Sequence, residues 1–332
     1  MKRNEGLGER RIIEIVQNQL GVMPKMSIPF GDDVSAYPIG NGNLAVLKTD
    51  MLVDKTDVPR GMSLWQAARK AVVMNISDFA AKGVRPRVIL VSLGLPRTLT
   101  KTDIREIGRG LNAGAREYGA YIIGGDTGEA SDLVISISLF GIAKKKALML
   151  RSGARPGDLV AVTGYFGKPA AGLKILLNDL NAPSEIRKIL IESVLMPHAR
   201  LKEGLALSQT KAITSAMDSS DGLAWSLHEI AKASDVGFLI NEIPMAKEVQ
   251  KLAKLNGLDA FELTLYGGEE YELVLMIRPN LWRKAEEAVE KVGGKLLRIG
   301  TVTAERQVLL ETGGKKSVVE PRGWEHFKNS NV

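Results

Sequence analysis

Six short acidic segments recur along this 332-residue chain, and they constrain its fold more than any other feature. They read GDDVS, KTDML, NISDF, GGDTG, MDSSDG and GGEEYE, and most of them adjoin an apolar run. A single aspartate in a turn usually caps the local backbone. A repeated pattern favours a shared site instead, because ligands of mixed α/β folds collect where strands end. We therefore expect the fold to bring distant carboxylates together.

The positions of these carboxylates relative to predicted elements support that expectation. Asp50 follows LAVLKT, Asp126 follows AYIIGG and Asp218 follows AITSAM, so each is predicted at the end of a strand. Asn75 and Asp78 are three residues apart near the end of a predicted helix and share one of its faces. The site is thus predicted to draw on several strands and one helix.

Helical and strand patterns alternate through both halves of the chain. VSAYPI and LAVLKTD flank GNGN and predict a β-hairpin. A long helix is predicted between Ser63, its N-cap, and Gly83 just past its end. Further helical patterns cover 101–118, 169–179, 184–195, 199–208 and about 245–255. The strand patterns include RVILVSLGL, DLVISISLFGIA, LVAVTG, VGFLI, YELVLMI and KLLRIGTV. The segment LRSGARPGD interrupts the pattern and predicts two domains, 1–150 and 151–332.

Composition excludes several classes of function. The net charge is +7, which indicates either a solvated basic surface or an electrostatic field that favours anionic ligands. The basic residues are dispersed and aromatic residues make up only 5%, so nucleic acid is not an expected partner. The N-terminus lacks an uninterrupted apolar region, and no apolar run approaches the roughly 20 residues that span a bilayer, so neither a signal peptide nor a membrane partner is expected. Cysteine is absent, which fits a cytoplasmic protein without disulfides.

The available ligand atoms indicate a particular kind of metal. Carboxylates that converge repel one another unless cations lie among them. The chain has no cysteine and three scattered histidines, His198, His228 and His326, so hard oxygen ligands dominate. Such a set suits Mg²⁺, which usually completes its shell with water and substrate phosphates. The sequence therefore favours several Mg²⁺ ions and a polyphosphate ligand.

The common nucleotide-binding motifs are absent. GYFGKP has the wrong spacing for a phosphate-binding P-loop, and Pro169 stands where that motif needs Ser or Thr. GNGNLA lies inside a predicted hairpin and does not open a helix, so it is not a dinucleotide fingerprint. The chain contains no H-R-D catalytic loop of protein kinases.

Eight segments together resemble the thiamine-monophosphate kinase family, within the superfamily of aminoimidazole-ribonucleotide-synthetase-like ATP-binding proteins. They are GDDVS, KTDMLV, NISDFAAKGVRP, IIGGDT, LRSGARPGD, MDSSDGL, GGEEYEL and RGWEHF, in the family order from about residue 31 to 327. The resemblance implies an N-terminal α+β domain that binds ATP and Mg²⁺ and whose strands pair across a homodimer. It also implies a C-terminal mixed α/β domain, with ATP between the two.

The resemblance also implies roles for individual residues. The implied Mg²⁺ ligands are Asp33, Lys48, Thr49, Asp50, Asp78, Asp126, Asp218 and Asp221, with Lys48 contributing only its backbone carbonyl. Among them, Asp50, Asp78 and Asp126 are the implied catalytic residues. The implied ATP contacts are Gly125, Asp126, Arg151 and Ser220, and the implied contacts to thiamine monophosphate are Asp57, Glu269 and Trp324. Asp57 stands about where many members have a histidine, and an ionised carboxylate cannot donate to a phosphate, so we expect it to face the cationic thiazolium or water.

The implied reaction is transfer of the terminal phosphate of ATP to thiamine monophosphate, giving thiamine diphosphate and ADP. The acceptor is a phosphate monoester whose second pKa is about 6, so it needs no general base. Direct in-line transfer without a phosphoenzyme is therefore expected. Two alternatives stay open: another activity of the superfamily, such as aminoimidazole ribonucleotide synthetase, and a nucleotide-binding regulator without turnover.

Overall fold

The computed structural model describes residues 7–178 and 180–327. Its helices are α1 (Glu9–Gln17), α2 (Asp54–Asp57), α3 (Leu64–Lys82), α4 (Lys101–Glu117), α5 (Lys168–Asn178), α6 (Ser184–Leu195), α7 (Leu201–Thr210), α8 (Leu223–Ser234), α9 (Lys247–Asn256), α10 (Ala260–Leu265) and α11 (Trp282–Glu290). Its strands are β1 (Ser35–Pro38), β2 (Asn43–Val53), β3 (Pro86–Leu95), β4 (Tyr121–Glu129), β5 (Val134–Lys144), β6 (Leu159–Val162), β7 (Ile213–Asp218), β8 (Gly237–Ile240), β9 (Leu273–Ile277), β10 (Leu297–Thr303), β11 (Val308–Thr312) and β12 (Lys315–Val318).

The strands form two sheets, one in each half of the chain. The N-terminal sheet has five strands in the order β1-β2-β5-β3-β4, in which only β3 and β4 are parallel neighbours. The C-terminal sheet has seven strands in the order β12-β11-β8-β10-β6-β9-β7. Both halves thus mix helices with a mainly antiparallel sheet, and the two-domain mixed α/β architecture predicted from the sequence is confirmed.

Helix α3 lies between the two halves and is buried along almost its whole length. One side packs on β2 and β5, and the other packs against α7 and β7. Its ends are those the sequence predicts: the Ser63 hydroxyl accepts from the backbone N–H of Gln66 in a capping box, and Gly83 ends the helix at a φ of 65°. Because α3 is enclosed on both sides, its polar residues Asp78 and Lys82 are carried into the interior.

The other face of the N-terminal sheet is open in the described part of the chain. Along β2 the even-numbered side chains Leu44, Val46 and Leu52 are buried toward α3, whereas Leu47 and Met51 are exposed. Leu90 on β3 and Ile142 on β5 are exposed as well. The open face therefore carries a row of apolar side chains across three neighbouring strands.

The structure also corrects several predicted boundaries. The predicted hairpin is present, with Pro38 opposite Leu44, but β2 and β4 do not end at Asp50 and Asp126. Asp50 pairs with Ile137 and Asp126 pairs with Ser92, because the neighbouring strands continue and keep the backbone ladder intact. The sequence patterns also miss α2, α10 and the hairpin of β11 and β12. The helix predicted over 169–179 is present as Lys168–Asn178, and residue 179 lies outside the described residues.

None of the helices in residues 7–178 and 180–327 combines the length and the apolar character that crossing a bilayer requires.

Candidate active site

Three buried carboxylates from distant segments meet beside α3. Asp33 precedes β1, Asp78 lies on α3, and Asp218 ends β7. One oxygen atom of each carboxylate lies within 4.8 Å of the corresponding atoms of the other two. We call Asp33, Asp78 and Asp218 the acidic cluster.

Two cations, the buried Lys82 and the half-buried Arg151, hold Asp33 in place. The ammonium nitrogen of Lys82 lies 2.7 Å from Oδ2 of Asp33 and 2.7 Å from Oδ1 of Asp32, and it donates to the carbonyl of Ala216 at 2.8 Å. The Nε–H of Arg151 donates to Oδ1 of Asp33 at 2.6 Å. Asp33 is therefore fixed in position and largely neutralised by the protein itself.

A third cation, Lys48, enters the cluster from β2. Its ammonium nitrogen lies 3.0 Å from Oδ2 of Asp78 and 3.9 Å from Oδ2 of Asp50. Strand alternation explains this geometry, since Lys48 and Asp50 share the face of β2 that is turned toward α3. Lys48 thus meets the acidic cluster with its side chain, whereas the family resemblance implied a role for its backbone carbonyl alone.

The pKa values show which carboxylates remain poorly compensated. Burial raises the pKa of Asp218 to about 6, and the charge of Asp33 adds to the rise although the hydroxyl of Ser77 donates to Oδ2 of Asp218 at 2.6 Å. Burial also raises the pKa of Asp78 well above its usual value, against the attraction of Lys48. Burial alone would raise the pKa of Asp33 as well, but Lys82 and Arg151 together hold it below its usual value. Asp78 and Asp218 are therefore the members that a further cation would stabilise most.

Three predicted site residues lie away from the acidic cluster within one chain. The hydroxyl of Thr49 is on the open face of the sheet, where the hydroxyl of Ser138 donates to it at 3.3 Å. Gly125 and Asp126 lie on β4, an exposed edge strand three strand positions from β2, which is about 14 Å at the usual spacing. Asp126 is opposite Ser92, so alternation turns it toward the open face.

Ser220 and Asp221 form the turn between β7 and α8, next to Asp218. The hydroxyl of Ser220 donates to Oδ1 of Asp221 at 3.3 Å. Burial raises the pKa of Asp221 to about 6; Glu9 adds to this rise, and Arg10 opposes it. The turn therefore presents the carboxyl of Asp221 beside the acidic cluster, near the N-terminal end of α1.

The predicted acceptor residues Asp57 and Glu269 are joined by a buried lysine. Lys70 on α3 is 1% exposed, and its ammonium group donates to the carbonyl of Asp57 at 2.9 Å and forms an ion pair with the carboxylate of Glu269. The backbone N–H of Val53 donates to Oδ2 of Asp57 at 2.7 Å. Lys70 thereby fixes the distance between α2 and the loop that carries Glu269.

Trp324 reaches the same region from the C-terminal segment. Its backbone N–H donates to the carbonyl of Asp221 at 2.9 Å, and its side chain is 40% exposed. The ring of His326 meets the indole edge-on at a centroid distance of 5.9 Å. Nε2 of His326 lies 3.9 Å from Oδ1 of Asp57. Asp57 is thus linked to Glu269 through Lys70 and to Trp324 through His326.

Sequence reasoning missed several residues of the site, notably Lys70, Ser77 and Lys82. All three lie on α3 with Asp78. Charged residues in a helix otherwise rich in Ala, Val and Ile were an available signal, because a helix buried on all sides keeps a charge only where a partner compensates it.

Comparison with known proteins places this geometry in a family. Residues 31–143 match the model of the AIR synthase related protein, N-terminal domain, and residues 155–311 match the model of the corresponding C-terminal domain. The thiamine-monophosphate kinase of Nitrosopumilus maritimus is 37% identical over 322 residues, covering 97% of this chain and 99% of the relative. The thiamine-monophosphate kinase of Pyrococcus abyssi is 39% identical over 299 residues, covering 90% of each chain.

A solved structure agrees with these relatives. The structure of AaThiL complexed with AMPPCP and TMP superposes with a TM-score of 0.85 at 28% sequence identity, covering 98% of this chain and 99% of that chain. The likeness extends over both sheets and over the segments that hold the acidic cluster. The chain belongs to the thiamine-monophosphate kinase family of the AIR synthase related proteins.

Proposed function

We propose that this protein transfers the terminal phosphate of ATP to thiamine monophosphate, giving thiamine diphosphate and ADP. The observation that carries the proposal is the acidic cluster, three buried carboxylates within 4.8 Å of one another, in a chain of this kinase family. Neither aminoimidazole ribonucleotide synthesis nor nucleotide binding without turnover is favoured by the relatives.

The residues of the cluster suit Mg²⁺. The three side chains that define the cluster each offer a carboxylate oxygen, and the sequence has no cysteine to favour a softer metal. Asp33, Asp50, Asp78 and Asp218 would hold the ions. Mg²⁺ bound there would neutralise the charge of the ATP phosphates.

The chain's own residues position the reactants and keep the ion ligands fixed. Arg151 and Lys82 hold Asp33, and Ser77 holds Asp218. In the transfer, a phosphate oxygen of the acceptor bonds to the γ-phosphorus, the bond from that phosphorus to the bridging oxygen breaks, and its electron pair leaves with ADP. The acceptor phosphate is already dianionic near neutral pH, so no residue has to remove a proton.

Asp57, Glu269 and Trp324 form the proposed acceptor end. The exposed indole of Trp324 suits stacking on a cationic or aromatic ring. The carboxylate of Glu269 is paired with Lys70, so it accepts a hydrogen bond from the acceptor without adding a full negative charge. The carboxylate of Asp57 accepts a hydrogen bond from the Val53 N–H and lies beside His326. Asp57 is therefore not proposed as a ligand of the acceptor phosphate.

We further propose a homodimer built on the N-terminal domain, residues 1–150, with residues 151–332 forming the C-terminal α/β domain. The apolar side chains exposed on the N-terminal sheet and its edge include Leu47, Met51, Leu90, Tyr121, Ile123 and Ile142. An apolar surface of this kind marks an interface. Strand pairing across the two-fold axis would cover it and bring Gly125 and Asp126 of the partner subunit to the site. The absence of cysteine and the use of ATP fit a cytoplasmic enzyme.

One incubation tests the activity. The wild type with ATP, Mg²⁺ and thiamine monophosphate is expected to form thiamine diphosphate and ADP. Asp78→Asn and Asp126→Asn are each expected to lose at least about 100-fold in rate, as other electrostatic groups at reacting centres do. ADP release that does not depend on thiamine monophosphate, or an unimpaired Asp78→Asn variant, would contradict the proposal.

Coexpression of the two variants tests whether the site is shared. If Asp126 serves the partner's site, a dimer of one Asp78→Asn and one Asp126→Asn chain contains one intact site. Random pairing then restores roughly a quarter of the wild-type activity. If both residues serve the same chain, every site carries a defect and no activity returns.

A further inference from the structure

Tyr271, in the segment GGEEYE, has a backbone conformation that is costly for its side chain. Its φ is 52°, and Glu269 two residues earlier has a φ of 64°. The N–H of Tyr271 donates to the carbonyl of Ser219 at 3.1 Å, and the N–H of Glu269 donates to the carbonyl of Ser220 at 2.6 Å. Left-handed conformations of bulky residues persist where the surroundings enforce them, often at functional sites.

The hydroxyl of Tyr271 has no hydrogen-bond partner among the described residues, although the residue is only 3% exposed. A buried phenol usually bonds to the protein. Tyr118 illustrates the usual case, since its hydroxyl accepts from the N–H of Ala199 at 2.9 Å. The hydroxyl of Tyr271 is thus held in place by packing and by its backbone, yet it is left free to bind a ligand.

The surroundings of this phenol connect the two halves of the site. Burial raises its pKa well above the usual value, and the carboxylates of Glu269, Asp50, Asp218 and Asp57 raise it further. Asp50 and Asp218 lie at the metal end of the site, and Asp57 and Glu269 lie at the acceptor end. The backbone places Tyr271 between the two ends, because its N–H bonds to Ser219, which follows Asp218 of the acidic cluster, and Glu269 of the acceptor end is two residues away. Even an unperturbed phenol, with a pKa of about 10, stays protonated at neutral pH and donates a hydrogen bond.

We infer that the hydroxyl of Tyr271 donates a hydrogen bond to the phosphate group of the acceptor and holds it in line with the γ-phosphate of ATP. The inference rests on the proposed function. The acceptor phosphate has to cross the gap between Glu269 and the acidic cluster, where carboxylates predominate and an anion requires a donor. The O–H bond stays intact throughout, so the tyrosine aligns the nucleophile and transfers no proton.

Tyr271→Phe tests this role, because it removes the hydroxyl and keeps the ring. We expect kcat/KM for thiamine monophosphate to fall by roughly 10- to 100-fold, in the range for loss of a hydrogen bond to a charged group. KM for ATP should stay within about twofold. Since no bond within the protein is lost, Tm should not decrease by more than about 2 °C.

Tyr118→Phe is the matched control. It deletes a hydroxyl that serves the fold, so Tm is expected to decrease while the kinetics for thiamine monophosphate stay unchanged. A Tyr271→Phe variant that matches the wild type in kcat/KM for the acceptor would overturn the inference and leave the proposed function standing. A wild type that forms no thiamine diphosphate would overturn both.

Discussion

The ammonium group of Lys48 lies 3.0 Å from a carboxylate oxygen of Asp78, inside the acidic cluster. The same nitrogen is 3.9 Å from Asp50. Burial would lower the pKa of Lys48, but Asp78 and Asp50 raise it overall, so the lysine stays charged. Lys48 thus supplies positive charge next to Asp78 and Asp50, and a bound Mg²⁺ would add to that charge.

Lys48→Met is expected to make stability more dependent on Mg²⁺. Without the ammonium group, Asp78 and Asp50 lose their counter-charge, which costs about 1–3 kcal/mol when no metal is present. Thermal unfolding in EDTA and in excess Mg²⁺ measures the effect. The rise in Tm on adding Mg²⁺ should be larger for the variant than for wild type. The exposed Lys146→Met serves as control, and an equal rise in both variants would argue against an electrostatic role of Lys48.

Gly125→Ala is expected to destabilise the N-terminal sheet by about 1–3 kcal/mol. A Cβ at this position would lie 1.8 Å from the carbonyl oxygen of Val91, so β3 and β4 would have to separate. Gly128→Ala on the same strand meets nothing within 4 Å and is expected to be neutral or slightly stabilising. Chemical denaturation of both variants checks the difference. Equal stabilities would show that β4 can shift without cost.

Local sequence patterns predicted much of this fold, and their failures have a common cause. The capping signals at Ser63 and Gly83 fixed the limits of α3 because they act within a few residues. No local sequence pattern predicts that β4 continues past Asp126, because this continuation depends on backbone hydrogen bonds to β3. The cations around the acidic cluster could not be predicted for the same reason, because they contact the carboxylates only through tertiary packing. Lys82 meets Asp33 only because the turn before β1 packs against the end of α3.

Glu270 predicts a pH dependence of stability. Burial raises the pKa of its carboxyl well above the usual value, although the N–H of Gly167 donates to it. The folded state therefore binds this proton more tightly than the unfolded state, in which the pKa of the carboxyl is about 4.3. The stabilisation is complete below that value and is lost as the pH rises through the folded pKa.

Glu270→Gln mimics the protonated carboxyl and should remove this loss. The Tm of the variant is expected to exceed that of wild type increasingly as the pH rises from 5 to 9, and the two should converge at low pH. Calorimetry across this range gives the comparison. Glu320→Gln on the surface should show a constant difference, and a constant difference for Glu270→Gln as well would contradict the assignment.

Arg10 ties the N-terminal helix to the segment that carries Trp324. Its guanidinium carbon lies 3.0 Å from the centroid of the Trp225 ring, and Nη1 lies 3.0 Å from Oε2 of Glu325. The N–H of Glu9 donates to the carbonyl of His326 at 3.1 Å. α1 therefore holds the C-terminal segment in the position from which the indole reaches the acceptor site.

Arg10→Ala is expected to weaken acceptor binding without affecting ATP. Without Arg10, the C-terminal segment that carries Trp324 would lose its ordered position and would have to become ordered when the acceptor binds. This ordering lowers the affinity, because fixing the backbone of one residue costs about 1–2 kcal/mol. KM for thiamine monophosphate should rise by about 5- to 30-fold, while KM for ATP stays unchanged. Arg11→Ala is the matched control, since Arg11 pairs only with Glu14 of the same helix among the described residues. If both variants raised KM equally, general loosening of α1 would be the cause. A rise confined to Arg10→Ala assigns the effect to the contact between α1 and the C-terminal segment.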